Sequence, residues 1–455
     1  MKPIPPAPKN FWKLLGPSFI LLGLGLGSGE VILWPYLASN YGLGIVWGMI
    51  IGITIQFFIN MEVERYALIY GESIFVGFAR ILRILPLWFI FSTVAGFGWP
   101  GIGLAGTTLF SHSLNISNIT VVSFTAFIAI GLILTLGKTL YKTVEVLQKY
   151  LIGIGVPIIV ILTFYLATKN DFLELLKGIV GIGHNFQFFP HDLAIPVFFG
   201  ALAYSGAGGN LNLAQSFYVR DKGYGMGKYA KKISGLFTKQ KVQTIKLTGY
   251  TFPLNKKNIS IFKSWWQAVN LEHFLIFFCI GLFTMLTLAL LAYITSFGSQ
   301  NNQEGLNFVL NQATTISNKT FPIMGSIFLF ILGTMLLATQ LTVLDSTSRI
   351  ITENIILFKN KTRANLSKIY YTVLWSQIAF GIIIFLSGFN QPKNLIVLGA
   401  VLNAVAMFIY TGIILFLNNT QLPKPLRPNI VRNFILLFSF LFLGYFSVTT
   451  IFSYF

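Results

Sequence analysis

The stretch "GLGLGSGEVILWP", from Gly23 to Pro35, lies inside an apolar segment that begins near Leu14. Glycine occupies every second position from Gly23 to Gly29, and a carboxylate, Glu30, follows at once. Each glycine inside a helix costs about 1 kcal/mol relative to alanine. A segment long enough to cross a bilayer therefore carries a conformational weak point and an acid near its middle.

The composition is that of a multi-pass membrane protein. Of the 455 residues, 55% are hydrophobic and only 10% are charged, whereas soluble domains average about 25% charged residues. Apolar runs of membrane-spanning length recur along the whole chain. The single cysteine, Cys279, excludes a disulfide framework. Residues 1–13 lack the cleavage site of a signal peptide, and we expect them to form a short cytoplasmic tail.

We predict an all-α integral membrane protein with about eleven transmembrane helices, numbered here span 1 to span 11. The predicted organisation is a first group of five spans, an outer connection, a second group of five spans and a last helix after a short connection. These segments cover residues 14–168, 169–191, 192–417 and 418–455. The predicted spans are 14–38, 43–69, 85–111, 119–137, 147–168, 192–218, 270–297, 322–348, 366–389, 394–417 and 431–453.

The net charge of +19 follows the membrane topology and does not indicate a nucleic-acid partner. With the N-terminus in the cytoplasm, 28 of the 32 basic residues fall in cytoplasmic connections. This is the positive-inside asymmetry of proteins in a cell membrane. The basic residues on the outside are Lys169, Lys177, Lys319 and Lys393.

The longest connection, 219–268, is predicted to be a basic cytoplasmic loop. Its piece "KVQTIKLTGYTF", from Lys241 to Phe252, alternates weakly and could form a small hairpin. A solvated loop is one interpretation, and a regulatory or lipid-binding role is the other.

A second interruption is predicted in span 6, at "FFGALAYSGAGGNLNLAQS", Phe198 to Ser216. Spans 1 and 6 enter the membrane from opposite faces, because span 6 is the fifth span after span 1 and five is an odd number. Interrupted helices at matching positions in two halves indicate an inverted-repeat transporter with its site near the midplane. The alternative is that both stretches are small-residue packing faces.

The residues of span 1 carry a family resemblance. "GPSFILLGLGLGSGEVILWPYLASNYG", Gly16 to Gly42, resembles the first helix of the Nramp (natural resistance-associated macrophage protein) divalent-metal transporters, which opens with Gly-Pro-x-Phe and breaks at Asp-Pro-Gly-Asn. "AGGNLNL", from Ala207, resembles the family's sixth helix, and "LLATQLTVLDSTS", from Leu336, resembles its eighth. The resemblance implies a LeuT-like bundle of two inverted five-helix repeats, with helices 1 and 6 broken, plus an eleventh helix.

The chain departs from the Nramp pattern at the metal ligands. The aspartate position of the family is Gly27 here, its asparagine is Glu30, its thioether is Ala207 and its histidine is Gly209. Carboxylate and carbonyl oxygens favour hard ions such as Mg²⁺ and Mn²⁺, whereas thioethers favour softer metals. Span 3 and the stretch "YYTVLWSQIAFGIIIFL" of span 9, from Tyr370 to Leu386, carry no charged residue, so we expect no stoichiometric proton flow.

The expected metal site lies where the two interruptions meet. Glu30 would be its charged ligand, beside the carbonyls of Leu24 to Leu26. The alternative is that Glu30 only stabilises the start of the second half-helix. No cofactor is expected, since the divalent cation would be the transported substrate. The candidate ligands are Glu30, Gly27, Leu26, Ser205, Ala207 and Asn210.

Other polar residues allow two interpretations each. Asp345 with Ser346 and Ser348 could form a second cation site, or Asp345 could pair with Arg349 at i,i+4. The charged residues of "NMEVERYAL" could form an inner gate or an ion-pair cluster. They are Glu62, Glu64 and Arg65. His184, His191 and Asp192 could capture metal on the outside or lie in a solvated loop. Trp99-Pro100 predicts a kink. Candidate pore-lining amides are Gln340, Gln377 and Asn403.

Other function classes fit the sequence less well. A membrane enzyme would need clustered histidine or acid motifs, and the chain has four histidines and no repeated acid motif. A channel would need a polar pore-lining helix. The remaining alternative to a metal is a small organic cation or amino acid, held by Glu30 or the half-helix ends between apolar walls such as Trp34, Phe198 and Tyr204.

Overall fold

The structure, a computed structural model, is dominated by long helices. It describes residues 1–8, 10–136, 140–230, 249–303, 305–360, 365–388 and 391–452. Within these ranges, ten helices are long and apolar enough to cross a membrane. Span 6 is not among these ten helices, because it is interrupted and its pieces are shorter. The predicted all-α, multi-span architecture is therefore confirmed.

The spans follow the predicted order along the chain. Spans 1 and 6 are each interrupted, and spans 2, 4, 5, 8, 9, 10 and 11 are single helices. The bounds of spans 1 to 5 are Pro17–Ser28 with a π-helical turn Gly29–Leu33 and Trp34–Tyr41; Trp47–Tyr70; Leu85–Phe97 with Gly101–Ser113; Ile119–Leu136; and Leu140–Leu166. Spans 6 to 11 are Ile195–Ala203 with Gly209–Ala214 and Gln215–Lys222; Lys256–His273 with Phe274–Ile280 and Gly281–Ser296; Pro322–Phe358; Leu366–Leu386; Pro392–Thr420; and Ile430–Phe452.

Short elements connect the spans. A two-stranded antiparallel hairpin pairs Ile182–Gly183 with Phe186–Gln187 in the outer connection. The short helices are Phe11–Lys13, Leu43–Ile45, Ile74–Ile81, Lys169–Ile179, Gly225–Tyr229, Asn307–Lys319 and Lys424–Leu426.

The interruption of span 1 differs in form from the one that the glycines predict. The α-helix continues through Ser28, and a π-helical turn at Gly29–Leu33 follows before the helix resumes. Such wide turns are rare in helices and occur often at functional sites. The carbonyls of Leu24 to Leu26 therefore lie within a regular helix, one turn before the interruption.

Span 6 is fully interrupted, as predicted. Its first helix ends at Ala203, and a 3₁₀ turn begins at Gly209. Between them the backbone reaches φ of 143° at Gly206 and 74° at Gly208, values that L side chains rarely adopt. Glycine is thus what lets the chain leave the helix here.

The prediction of a loop over 219–268 is wrong at both ends. Span 6 continues to Lys222, and span 7 begins at Lys256. The early start has a local cause, because the Asn255 side chain accepts a hydrogen bond from the Asn258 N–H at 2.8 Å and caps the helix. The expected hairpin from Lys241 falls largely on residues 241–248, which lie outside the described residues.

Span 8 is the central helix of the bundle. It packs against spans 1 and 3, while span 10 packs against spans 3, 6 and 11. Span 11 at the periphery exposes large apolar side chains, among them Phe434, Leu441 and Tyr445. Such a surface suits lipid rather than water. At the kink expected at Trp99-Pro100, the α-helix ends at Phe97 and a second helix begins at Gly101, so span 3 has a short break there.

Candidate functional site at the interruptions of spans 1 and 6

The alternating glycines of span 1 serve close helix packing. A Cβ built on Gly25 would lie 2.8 Å from the Gly206 carbonyl carbon, and one on Gly29 would lie 1.7 Å from the Tyr204 carbonyl oxygen. Span 1 therefore touches the backbone of span 6 where span 6 is interrupted. These contacts fit the alternative in which the glycines form a small-residue packing face. The predicted interruption of span 6 is present too, so both interpretations describe part of the structure.

The position of the Nramp aspartate is also filled by a neighbour. A Cβ on Gly27 would lie 2.3 Å from Cγ2 of Thr339 in span 8. The Thr339 hydroxyl donates to the Gly23 carbonyl at 2.9 Å. Span 8 thus occupies the space that a side chain at residue 27 would need.

Span 2 supplies hydrogen bonds that span 6 loses at its interruption. The Gln56 amide donates to the Ala203 carbonyl at 3.0 Å, and its oxygen accepts from the Gly208 N–H at 3.0 Å. The Tyr410 hydroxyl of span 10 donates to the Gly209 carbonyl at 2.9 Å. In a membrane interior, backbone groups freed by an interruption must find partners inside the protein. These side chains stabilise the interruption.

Glu30 is fully buried in the π-helical turn, and neither carboxylate oxygen has a hydrogen-bond partner among the described residues. Its side chain points toward span 7, where Oε1 lies 3.8 Å from a Cβ built on Gly281. A helix-capping acid would accept hydrogen bonds from backbone N–H groups. Glu30 makes no such bond, and the α-helix runs directly into the π-helical turn at Gly29. A separate half-helix start for Glu30 to stabilise is therefore not seen in the described chain.

The other predicted ligands face different neighbours. Ser205 accepts a hydrogen bond from the Trp34 indole at 2.9 Å. The Asn210 amide donates to Ser92 and Thr93 of span 3 at 2.8 and 2.9 Å, and its Oδ1 has no partner. Leu26 and Ala207 are buried. The structure therefore brings the two interruptions together but does not bring Glu30, Ser205 and Asn210 into one ligand shell.

Asp345 takes the ion-pair arrangement that its spacing from Arg349 predicts. Both carboxylate oxygens accept from Arg349 Nε at 3.0 Å, and Oδ1 also accepts from the Tyr370 hydroxyl at 2.7 Å. The same arginine pairs with Asp221 of span 6 at 2.6 Å. Ser346 bonds to Tyr218 and Ser348 to Gln377. The oxygens expected in a second cation site are thus engaged with protein groups.

The acids of span 2 separate into two environments. Glu62 pairs with Arg65 at 2.7 Å and with Arg432 at 3.3 Å, which is the ion-pair cluster that the sequence allowed. Glu64 lies elsewhere. It accepts one hydrogen bond from Gln215 at 3.4 Å, and its Oε1 has no partner in the described chain.

The structure adds a polar group that sequence reasoning missed. Glu272 and His273 of span 7 both contact Ser18 at the start of span 1, with Ser18 Oγ 2.8 Å from His273 Nδ1. Both are fully buried. The dipeptide "EH" at the predicted start of span 7 was the available signal, because an ionisable residue in a membrane helix is rare and usually functional.

The remaining candidates have structural partners or lie in solvent. Gln340 accepts from the Gly103 N–H, Gln377 bridges Thr347 and Ser348, and Asn403 donates to Tyr204 and the Gly96 carbonyl. On the outer connection, His184, His191 and Asp192 are exposed. Across the described residues, no three His, Cys, Asp or Glu side chains lie together as a metal cluster.

A small void lies beside the interruption of span 6. It has a volume of about 10 Å³ and is lined by Phe97, Tyr204, Gln340 and Gly399 among others. A cavity needs about 10–15 Å³ to hold one water. This void could therefore hold about one water molecule.

The described fold is that of LeuT-like transporters. The chain is similar to a point mutant of the Eremococcus coleocola manganese transporter, with a TM-score of 0.71 and 13% identity over 98% of this chain and 88% of that chain. It is equally similar to the same transporter in complex with an aromatic bis-isothiourea substituted compound, with a TM-score of 0.70, 12% identity and the same coverage. A crystal structure of MhsT in complex with L-phenylalanine aligns with a TM-score of 0.54 and 14% identity, over 96% and 98% of the two chains.

These comparisons confirm the fold expected from the Nramp resemblance. No family model matches the sequence, and no curated protein matches it either. At 12–14% identity, the similarity defines the architecture of the chain, while the substrate must be argued from its own residues.

Proposed function

We propose that this protein is a secondary transporter in a cell membrane that moves a hard divalent metal cation, such as Mn²⁺ or Mg²⁺, by alternating access. The N-terminus and the basic connections lie in the cytoplasm. The cation binds where the interruptions of spans 1 and 6 meet, and Glu30 supplies its negative charge.

The observation that carries this proposal is the isolation of Glu30. Burying an ionised carboxylate without a partner is very costly, and Glu30 has neither an ion pair nor a hydrogen bond in the described chain. The surrounding structure offers no compensation of its own. A bound cation would provide it, and an intramembrane acid of this kind is by default a functional group.

The proposed ligand set consists of oxygen atoms. Glu30 contributes a carboxylate, Asn210 has an unpartnered amide oxygen, and Ser205 contributes a hydroxyl. The backbone carbonyls near Gly27 and Ala207 complete the set, and oxygen ligands favour Mg²⁺ or Mn²⁺ over softer metals. In the structure these side chains contact different neighbours, so we infer that cation binding accompanies a shift of span 1 against span 6.

Alternating access is supported by the closed basic end of the molecule. The first carbonyls before span 1 are held by three side chains: Tyr224 donates to Leu14, and Lys149 and Lys222 each donate to Leu15 at 3.0 Å. Opening toward the cytoplasm would require these bonds to break as the start of span 1 moves.

The test is Glu30→Gln, which keeps the side-chain size and removes the charge. Titration calorimetry with Mn²⁺ and Mg²⁺ on purified protein should show loss of the cation equivalent that Glu30 binds, and proteoliposomes should show loss of Mn²⁺ uptake. Glu174→Gln is the matched control, because Glu174 is a partly exposed acid paired with Lys177 in the outer connection. The control should bind and transport as the wild type does.

The same preparation tests the alternative substrate class. L-Phenylalanine and small organic cations are added to wild-type protein in a thermal-shift assay, since a ligand that binds only the native state raises its melting temperature. Stabilisation by Mn²⁺ and not by the organic solutes is expected. Unchanged Mn²⁺ affinity in Glu30→Gln, or stabilisation by the organic solutes alone, would contradict the proposal.

A further inference from the structure

A polar stripe runs along span 2 below the interruption of span 6. Gln56, Asn60 and Glu64 are spaced four residues apart, so they lie on one face of the helix. All three are fully buried. This face is turned toward span 6, because the Gln56 amide contacts Ala203 and Gly208 at the interruption. One and two turns further on, Asn60 and Glu64 follow the second half of span 6 toward the basic end of the molecule.

Three oxygens in or beside this stripe lack partners among the described residues. Oδ1 of Asn60, Oε1 of Glu64 and Oε1 of Gln215 accept no hydrogen bond from any described residue, and the Asn60 amide nitrogen is likewise unpartnered. Gln215 opens the last helix of span 6 and reaches Glu64 through its nitrogen at 3.4 Å. One carboxylate oxygen and two amide oxygens thus remain free in a fully buried region.

Glu64 has no ion-pair partner among the described residues. The nearest arginine in sequence, Arg65, is turned to Glu62 and stacks on Trp266 at 3.8 Å. Glu64 interacts electrostatically with Glu272 of span 7.

Protonation of Glu64 alone does not explain the arrangement. A neutral carboxyl could donate to Gln215 Oε1 and remove one unpartnered oxygen, but Asn60 would still have both amide atoms without a partner. An unpaired buried polar group costs about 1–3 kcal/mol. A cation bound between these side chains would take the oxygens of Asn60, Glu64 and Gln215 as ligands and leave only the Asn60 nitrogen without a partner.

We propose that Asn60, Glu64 and Gln215 form a second cation site, which takes a hard divalent metal ion through one carboxylate and two amide oxygens. Carboxylates and side-chain carbonyls are the ligands that such ions prefer, with water completing the shell. Because the stripe runs from the span 6 interruption to the basic end, a transported cation would bind here between Glu30 and the cytoplasm. Only that place on the path rests on the proposed function; the site itself does not.

Titration calorimetry with Mn²⁺ counts the sites. Wild-type protein should bind two equivalents, Glu30→Gln and Glu64→Gln should each bind one, and the double variant should bind none. Asn60→Leu removes an oxygen ligand at similar size and should weaken the second equivalent by about tenfold or more. Glu174→Gln, a partly exposed acid outside the stripe, should keep both equivalents. Melting curves without metal show whether each variant is folded.

The outcomes separate the two proposals. Loss of one equivalent in Glu64→Gln with none lost in Glu30→Gln would keep this site and overturn the Glu30 site. Loss only in Glu30→Gln would do the reverse. If Glu64→Gln fails to fold, Asn60→Leu decides alone. Wild-type stoichiometry and affinity in either folded variant of the stripe would overturn the second site.

Discussion

The Cα of Gly29 packs so closely on the carbonyl oxygen of Tyr204 that a methyl group on Gly29 would lie 1.7 Å from it. No side-chain rotation relieves this contact, because both groups belong to the backbone. Gly29 is also the first residue of the π-helical turn that carries Glu30. The contact therefore sets the distance between spans 1 and 6 at the point where the cation is proposed to bind.

Gly29→Ala is expected to destabilise the protein strongly. Overpacking of a well-packed interior costs about 1–3 kcal/mol, and more where backbone must move. The measurement is the melting temperature of detergent-purified protein by tryptophan fluorescence. Gly153→Ala is the matched control, since a Cβ at Gly153 meets nothing within 4 Å. That variant should melt at or above the wild-type temperature, and equal melting of both variants would contradict the packing role.

The positions of the spans followed from the sequence because long apolar runs have few alternatives in a membrane protein. The interruption of span 6 could also be predicted from the sequence, because three glycines within four residues weaken a helix. The form of the span 1 interruption did not follow. Glycine serves both an unwound backbone and close helix contact, and only the positions of Gly206, Thr339 and Tyr204 show that span 1 packs tightly.

The polar contacts of the site were the hardest part to predict from the sequence. Glu30 was found because an acid inside an apolar run is conspicuous, and its lack of partners is a tertiary property. Glu64 was grouped with Glu62 and Arg65 by sequence proximity, although residues 62 and 64 point about 200° apart on a helix. The contact between Ser18 and Glu272 joins residues 254 positions apart, which one sequence does not reveal.

Gly27→Asp should fail to restore an Nramp-type site. The new side chain would meet Thr339, whose Cγ2 lies 2.3 Å from a Cβ at residue 27, so the single variant should melt earlier and bind Mn²⁺ no better. Thr339→Ala leaves space at the same place. The double variant should recover part of the lost melting temperature, and calorimetry should show tighter Mn²⁺ binding than in the single variant. Tighter binding in Gly27→Asp alone would contradict the steric argument.

The membrane orientation can be tested by cysteine labelling in a Cys279→Ala background. Lys257 and Lys169 are both exposed and lie on opposite predicted sides. An impermeant maleimide added to intact cells should label Lys169→Cys and leave Lys257→Cys unlabelled until the cells are opened. Labelling of Lys257→Cys from outside would reverse the orientation inferred from the basic residues.

Asp345 is expected to stabilise the fold rather than bind the transported ion. Arg349 holds Asp345 and Asp221 together, which ties span 8 to the last helix of span 6. Arg349→Leu leaves the buried Asp345 without its cation, while Asp221 keeps its pair with Arg220. Breaking a buried pair in this way costs about 3–5 kcal/mol. The melting temperature should therefore fall far more than in Lys177→Leu, which removes one partner of a partly exposed pair.

Calorimetry on Asp345→Asn separates this structural role from a second cation site at span 8. Asparagine keeps an acceptor for Tyr370 and removes the charge that pairs with Arg349. The variant should melt earlier than the wild type, yet it should bind Mn²⁺ with unchanged stoichiometry, because both oxygens of Asp345 already serve protein donors. Loss of one Mn²⁺ equivalent in a folded Asp345→Asn protein would place a cation at span 8 and would show that Arg349 only substitutes for it in the closed structure.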